Sequence, residues 1–454
     1  MKLKKLLRKL PVKKGQRELV GGGAVAFAYR ILGFLFTYGL MLAIARRFGP
    51  EGNGYYNLFT AWMAVLGVLA TLGLSSSNVR SVAEYSAKGE WGRLRPLHNG
   101  VLRAVIPFAV LLGLGFLAWR QLARMGVVGD GGIPSPVMLA MALVVPFSAA
   151  LLVNVEFIRG MKRVAVSELL RSPAVLGLTF LAVLAIPGGP MAPVAANAVI
   201  TGCCALLGLY LVRRYLGGIE ARHQTEPLPI NMREHLMLAL PMIVTALASS
   251  LNGRLDTIML AWYRPSDVIG IYGTAVKISI GIEFVIGAIK TIAMPKIAEM
   301  YHSGRHKELR ETLDYAAKLV FWTTAPVTLV LLVFARPIMG FVGPEFAEGA
   351  LVLRIMTLAH FISASSGMVG AFLNMTGSQV AFSRIVVTAV AVNIGLNLLL
   401  IPPYGMTGAA VAAGTTLSLW NIAGAIFIYR KHGINMYYIP WLTKHRPAHV
   451  DQHQ

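Results

Sequence analysis

The chain has 454 residues, of which 56% are hydrophobic and 14% charged, and its 42 Lys and Arg side chains outnumber its 20 Asp and Glu. This composition excludes an ordinary soluble globular protein. Because the basic residues fall mainly between apolar runs, they indicate membrane topology rather than a nucleic-acid partner. Cys203 and Cys204 are adjacent within an apolar run, so neither a disulfide framework nor a metal site is predicted, and no cofactor is expected.

The N-terminal segment, residues 1–18, carries eight Lys and Arg with leucines at helical spacing. This pattern predicts a short amphipathic helix that lies on anionic membrane lipids. A plain positive-inside anchor fits the same residues equally well. The next apolar run, 19–45, is too long for the core of a signal peptide and contains Arg30, so no cleavable signal peptide is predicted.

Apolar runs long enough to cross a bilayer as helices then follow along the chain. We count twelve, at about 19–45, 54–76, 99–118, 136–158, 172–190, 192–212, 236–262, 269–294, 317–335, 349–374, 383–402 and 405–429. The fifth and sixth are short and are separated by a Pro-Gly cluster that marks a turn. The predicted fold class is therefore an all-α membrane protein with about 12 transmembrane helices.

The distribution of Lys and Arg predicts the orientation. An even number of spans places both termini on one side, and that side carries thirty of the 42 basic residues, against six on the other side and six within spans. By the positive-inside rule both termini are cytoplasmic, in a multi-pass protein of the cytoplasmic (inner) membrane.

An internal repeat divides the chain. Shifting the sequence by 216 positions aligns residues 42–56 with 258–272, and shifting by 215 aligns 83–95 with 298–310. The repeat predicts two homologous six-helix lobes, 19–212 and 236–429, joined by a cytoplasmic linker, 213–235, and followed by a cytoplasmic tail, 430–454. Since six is even, both lobes have the same orientation and are expected to be related by a pseudo-two-fold axis along the membrane normal, with a substrate site between them.

Several motifs resemble the polysaccharide flippases. They are Arg30 with Gly33, the AxxFGPEGxGYY turn at 45–56, RxDxxML at 254–260, GxY at 270–272, MPK at 294–296 and YGMTGAAVA at 404–412. This family comprises the O-antigen and capsule oligosaccharide translocases of the multidrug/oligosaccharidyl-lipid/polysaccharide superfamily. The resemblance implies a two-lobed helical bundle that moves lipid-diphosphate-linked sugars across the cytoplasmic membrane. The related lipid II flippases usually carry fourteen spans, which argues against that branch.

Charged residues inside the spans are the candidate site residues, because a charge at membrane depth costs about 2.5 kcal/mol or more. The predicted substrate-binding residues are Arg30, Arg254, Lys277 and Lys290, and the predicted coupling or gating residues are Asp256 and Glu283. This set is net positive. Arg suits forked contacts to phosphate and Lys acts as a point charge.

Structural roles for the same residues stay open. Asp256 neutralises Arg254 or Lys277 in one alternative, and Glu283 pairs with Lys290 in another. Arg30 has no acidic residue in its own span, so a purely structural role is less expected there. For His360, the one mid-span histidine, a hydrogen-bonded packing role is favoured over a proton relay.

The predicted function is a flippase for polyprenyl-diphosphate-linked oligosaccharide in cell-surface polysaccharide biosynthesis, working by alternating access, with a polysaccharide polymerase and glycosyltransferases as expected partners. The alternatives are a drug/cation antiporter of the same superfamily, a lipid II flippase, a membrane-embedded glycosyltransferase or polymerase, and a non-transporting scaffold. An enzyme is not expected, since the chain contains no P-loop, HExxH or GxSxG motif.

Overall fold

The computed structural model describes the backbone of residues 14–224, 226–438 and 440. Their side chains are described except at 14–27, 76, 238, 240–242, 244, 245, 285, 288, 290–292 and 295. Most of the predicted N-terminal segment, 1–18, and the end of the tail therefore lie outside the described residues. The described chain is helical, and its contacts divide it into two compact units, Met1–Ser250 and Leu251–Gln454.

Unit 1 contains seven helices and most of an eighth among the residues described. They are α1 Lys14–Ala70, α2 Leu74–Lys88, α3 Leu94–Arg124, α4 Ser135–Gly160, α5 Val164–Arg171, α6 Pro173–Ala185, α7 Ala192–His223 and α8 Met232–Asn252, with a 3₁₀ turn at Trp91–Arg93. Helix α4 lies at the centre of this unit and packs on α1, α2, α3 and α7. Because α4 is surrounded by these helices, many of its residues are buried, and most of the buried ones are small or branched apolar residues.

Unit 2 holds the remaining helices of the described chain. They are α9 Leu255–Leu260, α10 Ser266–His302, α11 His306–Val333, α12 Ala335–Val342, α13 Ala350–Ser365, α14 Val369–Met375 and α15 Gln379–His432, with a 3₁₀ turn at Pro344–Gly349. Helix α13 packs against α10, α11 and α15. Helices α10 and α13 are therefore in direct contact within this unit.

Two of these helices each contain two predicted spans. Helix α1 has a non-helical residue at Gly49 (φ 65°) and α15 has one at Gly405 (φ 55°). A left-handed φ is accessible to glycine without a Cβ clash, so each glycine lets the chain reverse between two helical segments. The predicted boundaries between spans one and two and between spans eleven and twelve agree with these positions.

The candidate membrane spans confirm the all-helical membrane fold. Eight helices of the described chain are long and apolar enough to cross a membrane, and they overlap ten of the twelve predicted apolar runs, since α1 and α15 each overlap two. The other two runs lie on α8, α9 and α10. The prediction of one helix over 236–262 is wrong in one detail, because the helix is interrupted between Asn252 and Leu255.

The lobe limits of the sequence analysis stay a prediction. The contacts within the chain divide it at Ser250, so that nearly all of α8 belongs with unit 1. One reason is local: a Cβ at Gly73 would lie 2.6 Å from the carbonyl oxygen of Ala239, so α8 approaches the start of α2 at backbone distance. Only a residue without a side chain permits that approach.

Candidate functional site

Asp256 and Tyr272 form a buried polar pair in unit 2. Asp256 is 4% exposed and Tyr272 is fully buried. The Tyr272 hydroxyl donates a hydrogen bond to Asp256 Oδ2. Asp256 lies in the first turn of α9, where backbone N–H groups have no partner in the helix itself. The carboxyl group is thus held by a hydrogen bond within unit 2.

Arg254 lies at the break between α8 and α9, next to this carboxylate in sequence. It has the non-helical backbone of an N-cap residue (φ −143°) and a half-buried side chain. Among the residues described, its guanidinium forms no ion pair and no hydrogen bond. The salt bridge by which Asp256 would neutralise Arg254 is therefore not formed in this structure.

The other three predicted substrate-binding residues lie in different surroundings. Lys277 is half-buried on α10, five residues after Tyr272, which is about 7.5 Å along a helix. Arg30 is exposed on α1 in unit 1. Lys290 belongs to α10, but its side chain lies outside the described residues. The structure thus brings Lys277 into the same unit as Arg254 and Asp256, and places Arg30 in the other unit.

Glu283 has a partner that the sequence analysis did not predict. Its Oε1 lies 3.1 Å from Nδ1 of His360, which joins α10 to α13. The Glu283 side chain is 43% exposed and that of His360 is 6% exposed. The two residues are 77 positions apart, so no local pattern could have found the pair. His360 is hydrogen-bonded, as expected, but to an acid rather than to a neutral packing partner.

The residue of unit 1 that aligns with Tyr272 has a different partner. The 216-residue shift aligns Tyr56 with Tyr272, and Tyr56 is also buried. There the hydroxyl oxygen accepts a hydrogen bond from Nδ2 of Asn197 at 3.3 Å, and the position aligned with Asp256 is Leu40. The duplicated scaffold is retained, whereas the intramembrane carboxylate is specific to unit 2.

Arginines at the ends of the predicted spans bond backbone carbonyl groups within each unit. Arg47 Nη1 donates to the carbonyl oxygen of Val183 at 2.6 Å and also to that of Leu184, at the end of α6. Arg264 Nη2 donates to the carbonyl oxygen of Pro402 at 3.2 Å. Because the last carbonyl groups of a helix have no partner in the helix itself, these arginines satisfy acceptors at span ends. The sequence analysis counted them as loop charges and missed this role.

The comparisons with known proteins agree with this architecture. The profile of the family described as polysaccharide biosynthesis protein matches residues 19–301, and the MatE profile matches residues 241–399. The probable low-salt glycan biosynthesis flippase Agl15 of Haloferax volcanii is 22% identical over 407 residues, covering 88% of this chain and 81% of that protein.

Two solved structures have the same fold. The lipid II flippase MurJ in an inward closed conformation superposes with a TM-score of 0.70 at 15% identity, over 90% of this chain and 87% of that chain. A multidrug resistance MATE family transporter of the MOP superfamily, in an inward-facing conformation, gives a TM-score of 0.68 at 15% identity, over 89% and 97%. These relatives are flippases and transporters, not enzymes.

The two family profiles, the flippase relative and the membrane spans together place the chain among the multi-pass membrane flippases of the multidrug/oligosaccharidyl-lipid/polysaccharide superfamily. Since its profile matches more than half of the chain, the protein belongs to the polysaccharide biosynthesis protein family.

Proposed function

We propose that this protein moves a polyprenyl-diphosphate-linked oligosaccharide from the inner to the outer leaflet of the cytoplasmic membrane by alternating access. The proposal draws its substrate class from the chemistry of the interior charges and from the names of two similar proteins, a glycan biosynthesis flippase and a lipid II flippase. Both termini are taken to be cytoplasmic, as the distribution of basic residues predicts.

The observation that carries the proposal is the state of Arg254. Its guanidinium is half-buried and lacks an ion pair among the described residues, while the neighbouring Asp256 is hydrogen-bonded to Tyr272. A cation left this way in an apolar span is costly, and an anionic ligand offsets that cost while it is bound. Guanidinium also matches phosphate with two parallel hydrogen bonds.

The remaining predicted site residues take roles around Arg254 in this proposal. Lys277 and Lys290 supply further positive charge along α10, and Arg30 supplies it from α1. The diphosphate is bound by these cations while the sugar passes through the protein. Glu283 and Asp256 respond to the bound state and control coupling or gating, in line with their position among the cations.

The proposed function also implies protein and lipid partners. Glycosyltransferases supply the lipid-linked sugar on the cytoplasmic side, and a polysaccharide polymerase consumes it on the outer side. Anionic lipids are expected to bind the basic N-terminal segment, 1–18, through its eight Lys and Arg.

The test is export of polysaccharide by variants in a strain that lacks its own flippase. Arg254→Ala and Arg30→Ala are expected to lower export about ten- to a hundred-fold, because a hydrogen bond to a charged group is worth about 1.5–3 kcal/mol. Lys at either position is expected to restore part of the activity, since charge returns without the bidentate fork. The readout is surface polysaccharide at matched amounts of membrane-inserted protein.

A matched control is Arg103→Ala, which removes an exposed arginine near the start of the third predicted span and is expected to export normally. Normal export by both Arg254→Ala and Arg30→Ala would contradict the proposed site. Loss of export by Arg103→Ala to the same degree would show that any membrane arginine is needed and would equally remove the argument.

A drug/cation antiporter is the second candidate, because the MatE profile matches residues 241–399. The predicted site residues are net positive, which disfavours organic cations as substrates. Expression of the protein in a drug-sensitive host is therefore expected to leave resistance to cationic dyes unchanged. A several-fold gain in resistance would favour antiport of cations over flipping of anionic lipids.

A further inference from the structure

A small cavity lies at one end of unit 2, where the ends of three helices meet. Its volume is about 250 Å³, and the residues that line it are Tyr301, His306, Leu309, Arg310, His432 and Ile434. Tyr301 is the last residue but one of α10, His306 is the first residue of α11 and His432 is the last residue of α15. Helices α11 and α15 are long and apolar enough to cross a membrane. We therefore expect the cavity to lie at the membrane surface, on the side that the basic residues assign to the cytoplasm.

Arg310 supplies the positive charge of this cavity. It is exposed, and its guanidinium forms no ion pair with any residue that the structure describes. Its Nη2 atom donates a hydrogen bond to the carbonyl oxygen of His432, at a long distance of 3.5 Å. Because a guanidinium has five N–H donors, most of its donors remain available to a ligand. No carboxylate among the described residues lines the cavity to compete for them.

Contacts between rings hold the aromatic side chains of the cavity in place. The Tyr301 ring meets the His306 ring edge-on at 6.3 Å between centroids, and it meets the His432 ring edge-on at 5.7 Å. His432 also packs edge-on against Phe372 at 5.3 Å. Its Nε2 atom is buried and has no hydrogen-bond partner within the described part of the chain. Side chains that are already ordered lose less entropy when a ligand binds.

The segment that follows α15 completes the wall of the cavity. Ile434 is 5% exposed, Met436 is 3% exposed, and both belong to a hydrophobic cluster that also contains Leu309. The backbone N–H of Tyr438 donates to the carbonyl oxygen of Ser365, at the end of α13, at 3.3 Å. Two of the residues that line the cavity are therefore part of the packed core of unit 2.

The charges near the cavity leave it electropositive. Arg305, in the turn before α11, is paired with Glu299 at 2.5 Å and with Glu308 at 3.2 Å, and none of the three lines the cavity. The segments 299–311 and 430–432 together contain five Lys and Arg side chains against three acids. The one arginine that lines the cavity thus lies in surroundings that add positive charge to it.

The chemistry of the lining suits a phosphate group. Arginine gives phosphate two parallel hydrogen bonds, and the phenol hydroxyl and imidazole N–H groups are further donors. The cavity is smaller than the pockets of about 300–1,000 Å³ that hold drug-sized ligands, so it fits a headgroup and not a lipid-linked oligosaccharide. Leu309 and Ile434 add apolar surface, which suits a phosphate that is joined to a lipid.

We propose that Tyr301, His306, Arg310 and His432 form a binding site for a phosphate group at the cytoplasmic end of unit 2. The group belongs to an anionic phospholipid of the inner leaflet or to a soluble phosphate, and Arg310 holds it in either case. The inference does not rest on the proposed function, since none of these residues belongs to the charged set assigned to transport. A bound phosphate joins the ends of α10, α11 and α15, so it stabilises the folded unit by mass action.

The test follows the histidine rings of the purified full chain in detergent by nitrogen NMR, with His306→Gln and His432→Gln used for assignment. The probes are dioctanoyl phosphatidylglycerol and inorganic phosphate, and dioctanoyl phosphatidylcholine is the zwitterionic control. The wild type is expected to show saturable shifts of the His306 and His432 signals with at least one probe. The probe with the lower half-saturating concentration identifies the source, lipid headgroup or soluble phosphate. The absence of a saturable shift with both probes overturns the inference, as do equal shifts with phosphatidylcholine.

Arg310→Gln is expected to raise the half-saturating concentration about ten- to a hundred-fold, because a charged hydrogen-bond donor is lost. Arg310→Lys is expected to raise it less, since the charge stays without the fork. The matched control is Arg305→Gln, which removes an arginine that is paired with two acids and is expected to bind the probe as the wild type does.

These variants decide between a built site and general surface charge. Wild-type binding by Arg310→Gln overturns the inference, and so does an equal loss of binding in Arg305→Gln. If Arg310→Gln fails to fold, Arg310→Lys takes its place, and wild-type affinity of that variant overturns the inference.

Discussion

At the scale of single residues, the two acids inside the spans of unit 2 are stabilised by different means. Asp256 is buried and accepts a hydrogen bond from a tyrosine hydroxyl. Glu283 remains partly exposed and meets a histidine. The two acids therefore differ in burial and in the group that contacts them, a hydroxyl at Asp256 and an imidazole at Glu283.

Substitution of Tyr272 tests the first arrangement. Tyr272→Phe leaves the Asp256 carboxylate with one donor fewer, so we expect a loss of about 1–3 kcal/mol of stability. Asp256→Asn keeps an oxygen that accepts from Tyr272, and it is expected to cost less and to yield folded protein. Thermal unfolding in detergent is the measurement. Tyr56→Phe is the matched control, because its hydroxyl accepts a longer bond, 3.3 Å, from Asn197. Equal stability of Tyr272→Phe and Tyr56→Phe would contradict the expectation.

At the scale of elements, the glycines that divide α1 and α15 have different surroundings. Both have positive φ, at 65° for Gly49 and 55° for Gly405. A Cβ at Gly49 would meet nothing within 4 Å, whereas one at Gly405 would lie 2.9 Å from Nε of Arg264. The second turn therefore depends both on backbone freedom and on the arginine that bonds the carbonyl oxygen of Pro402.

This difference predicts unequal costs for one substitution. Gly49→Ala is expected to lower stability by about 1–3 kcal/mol from the backbone alone, because φ 65° with ψ −168° lies in a region essentially confined to glycine. Gly405→Ala is expected to lower it further, because the Arg264 side chain must move as well. The measurement is thermal unfolding, repeated in an Arg264→Ala background, where the excess cost at Gly405 should shrink towards that at Gly49. An excess that survives loss of Arg264 would show that another contact causes it.

At the scale of the whole molecule, the sequence is duplicated, but the charged residues inside the predicted spans are not. The 216-residue shift relates Asp256 to Leu40, Lys277 to Ala61, Glu283 to Gly67 and Arg30 to Ala246. The repeat thus preserves the helical scaffold, while the intramembrane charges differ between its copies. The rotation that relates the two lobes stays a prediction, as does the orientation of the protein in the membrane.

Cysteine labelling tests the orientation. Gly129 and Gly218 are both exposed glycines of unit 1, and a Cβ at either would meet nothing within 4 Å. Gly92 is not a suitable labelling position, because a Cβ there would collide with the carbonyl oxygen of Glu226. In a background without Cys203 and Cys204, Gly129→Cys is expected to react with an impermeant maleimide on intact cells. Gly218→Cys is expected to react only after the membrane is permeabilised. Reaction of Gly218→Cys on intact cells would reverse the assigned direction of flipping.

Part of the candidate site could be found before the fold was known, and part could not. Arg254, Asp256 and Lys277 stand out because each is a charge within an apolar run, and this signal needs only hydropathy. The contacts of the charged residues could not be predicted from the sequence. Asp256 accepts from Tyr272 instead of pairing with Arg254, and Glu283 meets His360 on another helix. Sequence spacing within one helix can propose the neighbours of a residue, but it carries no information about which face another helix presents.

The amino-acid sequence by itself determined that the protein is an all-helical membrane protein and where most of its spans lie. It also revealed the duplication and the motifs of the family. These properties follow from local composition, because each span must bury its own backbone hydrogen bonds in lipid. Tertiary structure alone decided the break between Asn252 and Leu255, the carbonyl groups bound by Arg47 and Arg264, and the joining of Glu283 to His360. Those outcomes depend on the depth and rotation at which separate helices pack, which no single stretch of sequence specifies.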